Sequence, residues 1–391
     1  MPVTDIVVVG LGAVGSALSL QLARRGAKVI GIDRFAPPHA HGSSHGRTRV
    51  TRLAVGEGAA YVPLAQRSHT LWREFETLTG RTLYRRTGLL VLASSAAASG
   101  VLHGQDDFFG RTCELALRFG IEHERLNARA VRERFPAFAP QDDERAYFEP
   151  DGGVLFPEAC VAAQLELAAR HGAMLHTGEV MLDIQADGAG VTVRTERNTW
   201  HAAQAVLCTG AWLPAQVGPP LTTRLRVLRQ VLHWFATDEP QHFDPERCPV
   251  FIWLHGAGPE GSFYGFPMAD DVRGIKVAAE QYGASVDPDA VERDVGADEV
   301  ATVFEQHVRG RLPALRPRAV YSTTCLYTME PDGRFIVDRH PRLPAVTIAS
   351  PCSGHGFKHS AALGEAIAMR LLGEAGGIDL TPFALASTDS A

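Results

Sequence analysis

Residues 5–35 read DIVVVGLGAVGSALSLQLARRGAKVIGIDRF, and this stretch decides the fold class. Ile6 to Val9 are wholly apolar, the pattern of a parallel strand covered on both faces. Gly10-x-Gly12-x-x-Gly15 follows at once, then a predicted helix over about 13–25 with Val14, Ala17, Leu18 and Leu22 on its apolar face. A second strand, Lys28 to Ile32, ends on an acid, Asp33. The three glycines alone are a weak signal. Strand, glycine turn, helix, strand and acid within about 30 residues specify a dinucleotide-binding βαβ unit. The glycines let the backbone approach a pyrophosphate at the helix N-terminus, and Asp33 is placed for the ribose hydroxyls.

The chain does not continue as regular βαβ repeats. A loop rich in Pro, His, Gly, Ser and Arg spans 36–58, and helices are predicted near 61–79, 110–120, 127–135, 158–171 and 288–309. A strand is predicted over Gly88 to Leu92, and VTVRTERNTWHAAQAVLCTGAW reads as a β-meander ending in a buried strand, Ala205 to Cys208. After a last strand comes the glycine-rich SPCSGHGFKHS, then a helix of some 14 residues. Strand–glycine turns thus recur near 208 and 349–356, so distant segments are expected to converge on one ligand. That favours FAD, whose long body is held by loops from across a chain, over a nicotinamide cofactor held by one contiguous domain.

Composition narrows the function. At 391 residues the chain has room for one large domain or two interleaved ones. A formal net charge of −6 argues against a nucleic-acid partner. No apolar run reaches the roughly 18 residues of a membrane span, and MPVTDIVVVG enters a strand with no basic or cleavable leader, so a cytoplasmic protein is expected. The six cysteines (113, 160, 208, 248, 325, 352) form no C-x-x-C pair, which suits a reducing compartment and gives no zinc signature; no metal is expected.

The chain holds 35 Arg and only three Lys: Lys28, Lys276 and Lys358. Where any cation would serve it uses Arg, so a retained Lys marks a position for a compact, titratable ammonium, or chance retention on the surface. Lys28, at a helix-to-strand turn, fits the second reading. Lys276 falls mid-strand among apolar neighbours, where a buried cation is costly unless paired or functional; an edge strand pointing it into water is the alternative. The loop HGSSHGRTRVTR (41–52) gathers His45, Arg47, Arg49 and Arg52 beside the dinucleotide unit, fit to face anionic groups or else a solvated basic loop. In SGHGFKHS, Gly354, His355, Gly356 and Lys358 precede the last helix. Its N-terminus would stabilise negative charge on a reduced flavin, with Lys358 reaching a substrate carboxylate; a plain N-cap loop is the alternative. Cys325, taken alone, reads as a core thiol at a strand end.

The chain resembles the monomeric sarcosine oxidase and N-methyltryptophan oxidase group of flavin amine oxidases, related to D-amino-acid oxidase. The likeness runs through VVVGLGAVGSA, DRFAPPHAHGSSHGRTRVTR, YVPLAQRSHTLW, FEPDGGVLFPE, TGAW, FYGFP, CLYTMEPDGRFIVDRHP and SGHGFKHS. It implies a mixed α/β fold: a Rossmann-like FAD-binding domain (1–85, 150–215, 320–391) interleaved with a substrate domain on a mostly antiparallel sheet (86–149, 216–319). It implies FAD attached through its 8α-methyl to Cys325, an oxygen-activating lysine at Lys276, and a substrate carboxylate held by Arg52 and Lys358. Arg49 and His45 match positions beside the flavin ring, and Tyr327 and Tyr264 match positions near the substrate. The implied cofactor set is Gly10, Gly12, Val14, Gly15, Asp33, Arg34, Ser43, Ser44, Arg49, Thr51, Val180, Gly210, Trp212, Cys325, Gly354, His355, Gly356, Phe357 and Lys358.

Three residues depart from the family pattern. Glu280 stands where sarcosine oxidase has an active-site histidine, Trp253 is placed as a bulky pocket wall, and Cys352 is a second thiol near the flavin. The resulting expectation is a monomeric FAD oxidase of a secondary amine or N-methyl amino acid larger than sarcosine, giving an imine while O2 becomes H2O2. A dehydrogenase with another electron acceptor and a non-catalytic flavin-binding protein are the rival readings.

Overall fold

The computed structural model describes residues 4–95, 102–219 and 221–385. Five parallel strands form the centre of the first sheet. Thr4–Val9 lies between Thr199–Leu207 and Val29–Asp33, Met174–Thr177 flanks Val29–Asp33, and Leu343–Ser350 flanks the C-terminal half of Thr199–Leu207. The meander Met181–Asp187, Gly190–Thr195, Thr199–Leu207 adds antiparallel strands, and Ile336–His340 pairs with Leu343–Ser350. Because Thr4–Val9, Thr199–Leu207 and Leu343–Ser350 run in one direction, the turns after them, at Gly10, Cys208 and Pro351, open at the same end. That end of a parallel sheet is where ligands bind.

The glycine-turn helix, Ala13–Ala23, is buried almost all round and packs against Pro157–Arg170 and Ser360–Leu372. A Cβ on Gly364 would stand 2.5 Å from Ala17 Cβ, so a residue without a side chain sets the helix spacing.

The second sheet is eight-stranded and mostly antiparallel, in the order Leu315–Met329, Arg226–Thr237, Ile275–Ala278, Ser262–Gly265, Val250–Leu254, Leu89–Ala93, Arg145–Glu149, Glu124–Asn127. Side chains alternate between its faces. Phe251, Trp253, Phe263, Ile275 and Val277 go to a core shared with Phe135, Phe138 and Phe304, while Cys325, Tyr327 and Ala278 belong to a cluster on the other side. A three-stranded sheet (Arg49–Thr51, Gly153–Leu155, Tyr84–Arg86) lies outside both. Among the described residues no helix is long and apolar enough to cross a membrane.

Two sequence expectations are corrected. The helix predicted over 288–309 is confined to Ala297–Val303 and a following π turn, Phe304–Val308. Residues 283–296 are irregular because Asp287, Asp289, Glu292 and Asp294 serve turns and neighbouring side chains. Asp289, for instance, takes the Trp212 indole N–H at 2.8 Å and the Arg34 guanidinium at 2.9 Å. Cys325 is not at a strand end: it lies within Leu315–Met329, paired with Gln230 of the neighbouring strand.

Candidate active site

One long cavity begins at the carboxyl ends of the parallel strands and continues beneath the second sheet. At its first end the glycine turn is shaped for close approach. Gly10 has φ 88°, and a Cβ there would stand 2.5 Å from the Cys208 carbonyl oxygen; one on Gly15 would stand 1.7 Å from the Gly10 carbonyl oxygen. Ser44 Oγ accepts from Ala13 N at 3.1 Å, tying the 42–52 loop to the helix start. Asp33 accepts from Leu11 N and Phe35 N, each at 2.8 Å, so its carboxylate also buttresses the turn. Burial raises its pKa against those two donors. Arg34 lies over the Trp212 ring at 5.1 Å on the rim.

In the middle, Lys276 is fully buried and donates to Gly46 O at 2.7 Å, Thr48 O at 2.9 Å and Thr48 Oγ1 at 3.1 Å. All three acceptors are neutral, so burial, then the nearby Arg49 charge, holds the Lys276 pKa well below that of an ordinary lysine. Arg49 donates to Ser43 O at 2.8 Å and reaches Cys325 Sγ at 3.4 Å. His45 is buried with Nε2 lacking a hydrogen-bond partner; burial, Arg49 and Lys276 push its pKa down to about 3, so the ring is neutral. Glu158 accepts from Gly46 N at 2.7 Å and Arg47 N at 3.0 Å and fixes this loop.

At the far end the groups are charged. Arg52 Nη2 donates to both oxygens of Glu57, at 2.8 and 2.7 Å, and Nη1 to Ala54 O at 2.8 Å. Glu57 Oε1 also lies 3.0 Å from His103 Nδ1 and 3.9 Å from Lys358 Nζ. On its other side His103 Nε2 meets Glu280 Oε1 at 2.7 Å, and the Tyr282 hydroxyl donates to Glu280 Oε2. Burial works against charge on His103, but Glu280 and Glu57 outweigh it and lift its pKa to about 9. Both carboxylates are held below their usual range against the cost of burial, Glu57 by Arg52 and Lys358, Glu280 by His103 and Tyr282. The Tyr264 and Tyr327 hydroxyls lie 3.3 Å apart beside this group. Gly354, at φ 79°, lets this group pack close to the backbone: a Cβ there would stand 2.9 Å from Glu280 Oε1 and 3.1 Å from His103 Nε2.

A family model described as FAD dependent oxidoreductase matches residues 5–370. This chain belongs to that family. A monomeric sarcosine oxidase of Streptomyces avermitilis is 39% identical over 378 residues, covering 94% of this chain and 93% of that protein. An N-methyl-L-tryptophan oxidase of Salmonella dublin is 32% identical over 384 residues, covering 97% and 98%. The fold is shared with NikD, an amino acid oxidase of nikkomycin biosynthesis, in its open form (TM-score 0.81, 23% identity, 98% of each chain). The cofactor of this FAD-dependent family is compatible with what the cavity offers. A glycine cradle that no side chain can enter adjoins a fixed acid, and the cavity runs from there past Arg49 to the Gly354–Lys358 turn.

Most of the expected residues line this one cavity: Gly10, Gly12, Val14, Asp33, Arg34, Ser43, Ser44, Arg49, Arg52, Val180, Gly210, Trp212, Tyr264, Glu280, Tyr327, Gly354, His355, Gly356, Phe357 and Lys358, with Cys352 among them. His45, Lys276 and Cys325 stand immediately behind its wall through their contacts with Arg49 and the 43–48 loop. Gly15 serves the packing of helix on turn, and Thr51 is a core residue whose hydroxyl meets His69 at 2.7 Å. Trp253 is a correction. Strand alternation puts Ile252 on the cavity and Trp253 on the opposite face, where its ring stacks on Phe263 and its indole N–H donates to Glu144 at 2.8 Å.

Sequence reading missed Glu57, Glu158 and His103. Glu57 had a signal, an acid five residues after an arginine in a basic loop. His103 had none, because its partners are 46 and 177 residues away along the chain.

Proposed function

We propose that this protein is an FAD-dependent oxidase of secondary amines, with N-methyl amino acids as its substrate class. The observation that carries the reading is the pairing, in one buried cavity, of a dinucleotide cradle with a far end where Arg52 and Lys358 converge beside Tyr264, Tyr327 and Glu280. Bound FAD would supply a hydride acceptor for the carbon next to nitrogen, once that nitrogen has lost its proton, and a route for the two electrons to O2, giving an imine that water hydrolyses and H2O2.

The protein's residues do the rest. Arg52 and Lys358 hold the substrate carboxylate in charge-assisted hydrogen bonds, which fixes the adjacent C–N bond relative to the ring. Tyr264, Tyr327 and Ile252 wall the amine end. Arg49 keeps positive charge in the middle of the cavity, and Lys276, whose pKa burial lowers, adds an ammonium that can hold or give up a proton there; this suits O2 rather than a carrier protein as the electron acceptor. Cys325, 3.4 Å from the Arg49 guanidinium at the cavity wall, is the attachment point for the ring. With Trp253 on the far side of the sheet, the case for a substrate other than sarcosine rests on Glu280. The two domains are assigned to the chain segments expected above, and the working unit is a monomer.

The test is H2O2 release from the purified yellow protein with sarcosine, N-methyl aromatic amino acids, proline and pipecolate. Peroxide formed stoichiometrically with amine consumed supports the reading, with a substrate larger than sarcosine turned over fastest. Amine consumption that requires an added quinone or dye contradicts the oxidase assignment.

A further inference from the structure

The far end of the cavity holds a charge arrangement around Glu280 to which the reading above gives no chemical role. Two carboxylates, Glu57 and Glu280, flank one imidazole, with His103 Nδ1 3.0 Å from the first and Nε2 2.7 Å from the second. The three side chains are 2%, 7% and 8% exposed for Glu57, Glu280 and His103. Glu57 is shared with the Arg52 guanidinium. Two negative charges therefore meet one guanidinium and one imidazolium, and the cluster closes at neutrality before Lys358 is counted. Glu280 is the member on the amine side. Its Oε1 takes the His103 N–H and its Oε2 the Tyr282 hydroxyl. A carboxylate has about four acceptor positions, so it keeps capacity for a ligand donor. Glu280, His103 and Gly354 all line the cavity, and a Cβ on Gly354 would stand 2.9 Å from Glu280 Oε1, so the pair sits where only glycine leaves it room.

Building on the amine-oxidase reading, we propose that Glu280 is a specificity residue that takes the positively charged nitrogen of a zwitterionic substrate. His103 is the positioning residue that keeps Glu280 ionised and turned into the cavity. The site then selects amino acids as zwitterions, carboxylate on Arg52 and Lys358 and ammonium against Glu280, over anionic or neutral-nitrogen isosteres.

Other groups facing the pair do not duplicate this role. Tyr264 and Tyr327 are phenols whose pKa values burial pushes upward, so they stay neutral. The His355 ring lies tilted against His103 with centroids 4.9 Å apart, and burial keeps it neutral. Lys358 and Arg52 carry the opposite charge. Glu57 is the other anion within reach of His103, and its remaining contacts are with Arg52, Lys358 and, at 3.8 Å, His355 Nδ1.

The experiment uses two non-oxidisable carboxylates of one shape, trimethylglycine with a fixed positive charge and 3,3-dimethylbutanoate with none. Each is titrated into the wild-type holoenzyme while the flavin absorbance is followed. Trimethylglycine is expected to bind about tenfold tighter or more, and to keep that preference from pH 8 to pH 6. Glu280→Gln is expected to bring the two within about twofold. His103→Gln is expected to keep the preference at pH 8 and lose it towards pH 6, because Glu280 without its imidazolium takes up a proton as pH falls. Equal binding of the two ligands by wild type, no response to trimethylglycine, or a His103→Gln protein that follows wild type at every pH would each overturn the proposal. Binding is read without turnover, so failure to oxidise any amine sinks the oxidase reading separately.

Discussion

Lys358 Nζ lies 3.9 Å from Glu57 Oε1 and donates to the His355 carbonyl at 2.8 Å, wholly inside the protein. Burial, eased by Glu57, brings its pKa down to about 7. The ammonium is therefore charged below that pH and loses its proton above it. Affinity for simple carboxylate ligands is expected to fall as pH rises from 6.5 to 8.5. Lys358→Met is expected to weaken binding about tenfold to a hundredfold and to flatten that step. Ligand titrations across pH, read by flavin absorbance, check both.

Glu57 is expected to matter for stability as well as for binding. Glu57→Gln leaves the Arg52 guanidinium buried without its partner, a loss on the order of 3–5 kcal/mol. The Glu57 carboxyl is held well below its usual range, so its contribution is present above about pH 4.3 and disappears as pH falls through the folded value. Denaturant titrations at pH 7 and at acid pH are expected to show a large gap between wild type and Glu57→Gln that narrows on acidification. An equal gap at both would contradict the assignment.

Lys276 and Arg49 are expected to act on oxygen more than on the amine. With Lys276→Met, reduction by amine is expected to persist while reoxidation in air slows by about two orders of magnitude, the scale of removing one oriented charge at a reacting site. Stopped-flow reoxidation of photoreduced protein separates the two half-reactions.

Trp253→Phe separates pocket from core. The substrate order is expected to stay as in wild type, while stability falls by about 1–3 kcal/mol because Glu144 loses a buried hydrogen-bond donor. A changed substrate order would return Trp253 to the pocket.

The fold was legible where local pattern and tertiary role agree. Gly10-x-Gly12-x-x-Gly15 between two apolar runs permits one arrangement, and the turns at 208 and 351 follow from parallel strands that share an end. The rare lysines were legible for a related reason: Lys276 and Lys358 are both buried, each ammonium donating to backbone carbonyl oxygen. The errors come from information that periodicity does not carry. Trp253 was misplaced because one residue along a strand reverses the face. The segment 283–296 lost its helix to side-chain contacts with the dinucleotide rim. His103 stayed invisible because a buried ion pair joins residues unrelated in sequence.

Attachment of the flavin through Cys325 is checked by acid precipitation. The wild-type pellet is expected to stay yellow and the Cys325→Ser pellet to be white. A white wild-type pellet would contradict the attachment, whereas a Cys325→Ser pellet that stays yellow would point to Cys352, which lines the cavity.

The central claim is that an amine delivers its electrons to the flavin in this cavity. Anaerobic mixing of the yellow protein with N-methyl amino acids and cyclic secondary amino acids tests it most directly. Bleaching of the flavin absorbance without oxygen, fastest with a substrate larger than sarcosine, and return of colour on admitting air are the predicted results. A flavin that stays oxidised with every member of the panel would contradict the account.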